Sequence, residues 1–205
     1  MKRGFTVLVF VAVALMRVPA LRAESVVAEP LSDEAKAIIA TLQAHPDDEY
    51  TRQRAFIELE ALREPASAAA IRAFLDDRDE DTRAYSVRAL AAVEGAAAVP
   101  ELLKRLQNER SPRVRIACLL GLEPLHAPQA TEPLIKHLRD RNKEVRMAAV
   151  DVVSRLKEPR VRARAHEAIL VRWKRERDRD VRRVLEAALK RVGPSGQPAV
   201  PARAP

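Results

Sequence analysis

Glycine, cysteine and aromatic residues are all scarce in this chain, and each scarcity removes a class of protein. There are five Gly, one Cys and one Trp in 205 residues, and aromatics make up 3%. So few glycines leave no Gly-rich loop of the kind that cradles phosphate, and no nucleophile elbow. The lone Cys118 cannot close an intramolecular disulfide, so any exported form of this chain must be stable without one. With few aromatics, the core must be built from Ala, Leu, Val and Ile, which favours close helix–helix contact over a sheet sandwich. The four histidines, His45, His126, His137 and His166, neither pair at i, i+4 nor stand at ligand spacing with acidic residues, which argues against a zinc site. No carboxylate pair stands out from the surface charge. The absences point away from an enzyme, a metal or a cofactor.

Long apolar runs are also missing, apart from one. Phe5 to Met16 is apolar except for Thr6, Lys2 and Arg3 precede it, and small residues follow at Ala20 and Ala23. This pattern predicts a secretory signal peptide over residues 1–23, cleaved after Ala23 or after Ala20. Spanning a bilayer takes about 20 apolar residues, and Arg17 stops the run short of that. No cysteine lies near the cleavage region, which excludes a lipoprotein anchor. The expected location is periplasmic or secreted, with no transmembrane segment after cleavage.

Charge is unevenly spread. The formal net charge of +8 would fall to +4 without residues 1–23. From Glu24 to Pro100 there are 16 acidic and 8 basic residues, while from Arg155 to Val192 there are 6 acidic and 14 basic ones. An acidic head and a basic end follow, rather than a uniformly basic molecule.

What is abundant is self-similarity. A polar residue four positions before an arginine recurs as Asp48, Asp79, Ser111, Asn142 and Asp178, around Arg52, Arg83, Arg115, Arg146 and Arg182. The intervals between these arginines are 31, 32, 31 and 36 residues. A period of this size marks a stacked array of supersecondary units. The polar residue belongs to the types that cap helix N-termini, and Pro112 after Ser111 sits where a missing N–H costs nothing. Three residues after the arginine come Ala55, Ser86, Cys118 and Ala149, small enough for a close helix crossing. The fifth unit has Leu185 there and Glu186 at the next core position, as a terminal unit without a neighbour should. The expected organisation is a linker over 24–31, five helix pairs over about 32–62, 65–93, 97–125, 129–156 and 159–192, and a disordered Pro- and Ala-rich tail over 193–205.

Paired helices of about 31 residues, with Asp, Ser or Asn before a Val-Arg pair, then Ala after three residues and Leu or Val after seven, resemble HEAT repeats. The likeness is to the short HEAT-like class first named for phycobilisome lyases, and it covers roughly residues 32–192. It implies an all-α fold: an α-solenoid, a right-handed superhelix of about five antiparallel helix pairs. It implies a scaffold or protein-binding surface, and no lyase activity, because no cofactor-attachment chemistry can be picked out.

Three groups of residues bear on function. The periodic arginines read either as a cationic grip or as packing groups bound to an adjacent unit, and periodicity favours packing. The exposed side of the second helices, one and five residues after each arginine, is the expected concave face for a protein or peptide partner. Its candidate residues are Arg88, Ile116, Leu120, Met147 and Asp151, set against a reading in which neighbouring helices cover them. The basic end, at Arg172, Lys174, Arg175 and Arg177, reads as a contact for a polyanion or an anionic membrane surface, or as a solvated charged face. It faintly resembles HEAT-repeat DNA glycosylases, but export argues against nucleic acid, and Trp173 aligns with core positions. Self-association of the acidic and basic ends, head to tail, is a further reading.

Overall fold

The structure is a computed structural model that describes residues 30–193. The expected signal peptide, most of the linker and the tail after Gly193 lie outside the described residues. Among the described residues, ten α-helices form five pairs. They are α1 (Asp33–Ala44) with α2 (Glu49–Leu62), α3 (Ala68–Arg72) with α4 (Glu80–Glu94), and α5 (Val99–Asn108) with α6 (Pro112–Leu122). The last two pairs are α7 (Thr131–Lys136) with α8 (Lys143–Ser154), and α9 (Pro159–Arg175) with α10 (Arg179–Val192). Each pair packs on itself, and the second helices α2, α4, α6, α8 and α10 pack on one another in succession. The result is an all-α solenoid, as the repeat period predicts.

Local chemistry sets the helix limits. Asp48, Asp79, Asn142 and Asp178 each accept a backbone N–H of the first turn, the bond their residue types are suited to make. Ser111 departs from the expected frame. Its hydroxyl makes no cap bond and instead donates to Glu80 of the preceding unit, so at this position the side chain ties two units together. The first helices of units two to four are partly 3₁₀. Each starts in a 3₁₀ turn, at Pro65–Ser67, Gly95–Ala98 and Pro128–Ala130, and the fourth also ends in one at His137–Arg139. Tight i→i+3 turns satisfy helix-end groups in little chain length. Gly95, at φ +55°, ends α4 in a conformation that favours glycine.

The core is aliphatic and runs the length of the array. Leu42, Phe56, Leu90, Leu106, Leu119, Leu138, Ile169 and Leu189 are almost wholly buried, each contributing about 1.5–3 kcal/mol on transfer from water. The small residues work as expected. Ala55, Ser86, Cys118 and Ala149 are fully buried, and a Cβ on Gly121 would stand 3.1 Å from both Ala91 Cβ and Leu102 Cδ2. α6 therefore crosses its neighbours at close range because those side chains are small.

Candidate functional site

The arginine ladder comes first, because it decides what is left for function. Arg52 Nη2 donates to Asp77 Oδ2 at 2.6 Å, and Arg115 grips Asp140 with two bonds of 2.8 and 2.9 Å. Arg83 pairs with Glu109 at 3.4 Å and Arg146 with Glu176 at 3.1 Å. Each arginine also donates to carbonyls of the turn before its own helix, those of Pro46, Asp77, Glu109 and Asp140 among them. The acid in turn accepts the N–H of its own unit's cap residue: Asp79, Ser111, Asn142 and Asp178 donate at 2.9–3.0 Å. Every acid thus joins the arginine of one unit to the helix start of the next. Burial alone would raise the carboxyls of Glu109, Asp140 and Glu176, but backbone N–H donors and the arginines outweigh it and hold all three below the usual range. The periodic arginines are bound into the stack, and the packing reading holds.

The exposed side of the second helices carries a different kind of surface. Counted from each ladder arginine, position +5 reads Ile57, Arg88, Leu120, Asp151 and Ala187 along the array. Leu120 is 42% exposed and Ile57 47%, and Tyr50, seven residues before Ile57 on the same face of α2, is 73% exposed. Ile116 and Met147 are only half-buried and pack against the core, so the apolar centre is narrower than the sequence suggests. Arg88 pairs with Glu60 at 3.1 Å, and Asp151 pairs with Arg155 at 2.7 Å and Arg191 at 3.4 Å. Charges on this face are largely neutralised between adjacent helices, and the apolar groups stand among them.

At the basic end the predicted set divides. Arg172 is not free: its guanidinium bonds Glu176, and so belongs to the ladder. Lys174, Arg175 and Arg177 are exposed and make no ion pair among the described residues. Trp173 is buried, donates through Nε1 to Glu186 at 3.2 Å, and carries the Arg182 guanidinium 4.5 Å above its ring. It is a packing residue. Cys118 is also sealed in, and burial pushes its thiol up to about 12. Among the described residues, no three His, Cys, Asp or Glu side chains converge as a metal site would require, and no helix is long and apolar enough to cross a membrane.

A family model for HEAT repeats matches residues 35–123 and 99–190, two overlapping spans that take in most of the chain. The chain belongs to the HEAT-repeat family. A chain in the solved complex of CpcE and CpcF of phycocyanin lyase from Nostoc sp. PCC7120 superposes with a TM-score of 0.64 at 24% identity. The match covers 75% of this chain and 96% of that one. That likeness is one of fold. No curated protein sequence matches the chain.

Within this HEAT array, the concave-face candidates Arg88, Ile116, Leu120, Met147 and Asp151 all lie on second helices, and the polyanion candidates Arg172, Lys174, Arg175 and Arg177 on α9 and the turn after it. Two features escaped the sequence frame. The ladder acids recur six residues before an arginine, as Asp77, Glu109, Asp140 and Glu176, a periodicity visible in the sequence once the arginine is taken as origin. Tyr50 stands two residues before Arg52, a position also exposed at Arg113, Glu144 and Asp180, and only in the first unit is an aromatic placed there.

Proposed function

We propose that this chain is an exported, non-enzymatic HEAT-repeat scaffold that holds a protein or peptide partner on the exposed, concave face of its second helices. One observation carries the reading. The exposed large apolar side chains among the described residues, Tyr50, Ile57 and Leu120, all lie on that face. Stacking does not require them, because other units place Arg88, Asp151 and Ala187 at the +5 position. Apolar groups set among neutralised charges suit a partner that offers an apolar stripe, such as an amphipathic helix. The test is affinity capture from the cell envelope, identification of the partner, and calorimetry with both components purified. Ile57→Glu with Leu120→Glu should weaken binding at least ~10-fold and leave the thermal midpoint within a few degrees. Undiminished binding would remove this face from consideration. Export is checked by fractionation with N-terminal sequencing, where an intact cytoplasmic chain would refute it.

A second reading rests on Lys174, Arg175 and Arg177, whose charges are not matched among the described residues. A polyanion or an anionic membrane surface would bind there with steep salt dependence. Binding that ignores salt, or that survives conversion of all three residues to Gln, would count against it.

A further inference from the structure

Cations that serve the stack recur in every unit; those that do not recur need another explanation. Position +9 from the ladder arginine holds Ala61, Ala92 and Pro124 in the first three units, but Arg155 and Arg191 in the last two. Both lie where the second helices α8 and α10 end. There a recess of about 520 Å³ opens along the ends of the last three units, lined in part by Glu123, Ser154, Arg155, Lys157, Arg162 and Arg191.

The recess has more positive charge than its own carboxylates balance. Arg155 bonds Glu123 at 3.2 Å and Asp151 at 2.7 Å. Arg191 bonds the same Asp151 at 3.4 Å and donates to the Ser154 hydroxyl. Two carboxylates therefore serve two arginines. Arg162 finds only the main-chain carbonyl of Arg191, at 3.4 Å, and Lys157 makes no ion pair among the described residues. Two cations remain, next to guanidinium forks already fixed in place by Asp151, Glu123 and Ser154. Guanidinium forks match the oxygens of a tetrahedral oxyanion, and a dianion would balance the two-charge excess.

We propose that this recess binds a phosphate-type oxyanion, held by Lys157 and Arg162 against a wall of Arg155 and Arg191. The recess adjoins the apolar face through Asp151, which holds both Arg155 and Arg191, but Lys157 and Arg162 belong to neither that face nor the basic cluster of Lys174, Arg175 and Arg177, so their substitution tests the recess by itself. The oxyanion could be free phosphate or a phosphate carried on a peptide, and one titration separates the two. Amide chemical shifts of the full chain are followed with inorganic phosphate and then a phosphoserine peptide, each against chloride at matched ionic strength. Saturable shifts at the α8–α9 turn and the end of α10 are expected, with K157Q/R162Q weakening binding at least ~10-fold. K174Q/R175Q should leave it unchanged. Tighter binding of the peptide assigns a macromolecule-borne phosphate, and equal affinity assigns the free ion. The proposal is overturned if the shifts never saturate, if they map elsewhere, or if K157Q/R162Q binds as well as the parent. Both substituted side chains are exposed, so the double variant should keep the parent's thermal midpoint.

Discussion

The ladder pairs are not equivalent, and the difference lies in single side chains. Asp140 is held by Arg115 alone among the ion pairs, and both side chains are under 10% exposed. Glu109 and Glu176 each face a second arginine, Arg105 at 3.9 Å and Arg172 in direct contact. Removing one partner of a buried pair strands the other charge, at a cost of about 3–5 kcal/mol. Arg115→Ala should therefore destabilise the fold by about 3 kcal/mol in urea titration, and Arg83→Ala by clearly less, because Arg105 still faces Glu109. Equal losses would contradict the account. Acid should act through the same groups. The folded carboxyls of Glu109, Asp140 and Glu176 lie below their ordinary values, so their stabilisation is complete above the unfolded range of about 4. It is lost as pH falls through the lower folded values. The urea midpoint should hold steady above pH ~5 and drop below pH ~4, and Arg115→Ala should flatten that drop.

At the scale of the helix, the five starts look interchangeable in sequence and are not. Asp79 accepts the Thr82 N–H at 2.7 Å, so Asp79→Ala should cost about 1 kcal/mol through loss of a cap. Ser111→Ala loses a bond to Glu80 in the neighbouring unit instead. A double-mutant cycle distinguishes the two: Ser111 should couple to Glu80 of the neighbouring unit, whereas most of the loss at Asp79 should lie in its cap bond to Thr82. The second helices were legible in the sequence, because a polar residue four before each arginine marks their starts and an apolar repeat runs through them. The first helices of units two to four were less legible. The Ala-rich stretch 65–75 has no side-chain cap bond at either start, so no local signal separates its 3₁₀ turn from its α-helix.

For the whole molecule, the two ends are finished by the same device. Position +6 holds Ala89, Gly121 and Val152 in units two to four but Glu58 in the first, paired with Arg54 at 2.9 Å. Position +4 holds buried Phe56, Val87, Leu119 and Val150 but Glu186 in the last, beside Arg182 at 3.9 Å. Ion pairs thus stand where another unit would otherwise dock. Glu58→Leu with Glu186→Leu should produce concentration-dependent association in sedimentation, persisting at high salt, while the parent chain shows none of that salt-resistant kind. Any charge-driven contact between acidic and basic ends would instead weaken with salt.

By itself the sequence determined the period, the helix pairs and every ladder cap but Ser111, since each is written as spacing along the chain and stacking imposes the same spacing on every unit. It also separated the ladder arginines from function, because a residue repeated at the structural period answers to structure. Tertiary structure alone decided which surface groups remain available. Ile116 and Met147 lie half-covered while Leu120 and Ile57 stand out, and Arg172 is taken up by Glu176 while Lys174 is not. It also brought Arg155, Lys157, Arg162 and Arg191 together around one recess. Exposure and charge balance depend on neighbours about thirty residues away in the chain, and only packing one unit against the next sets them.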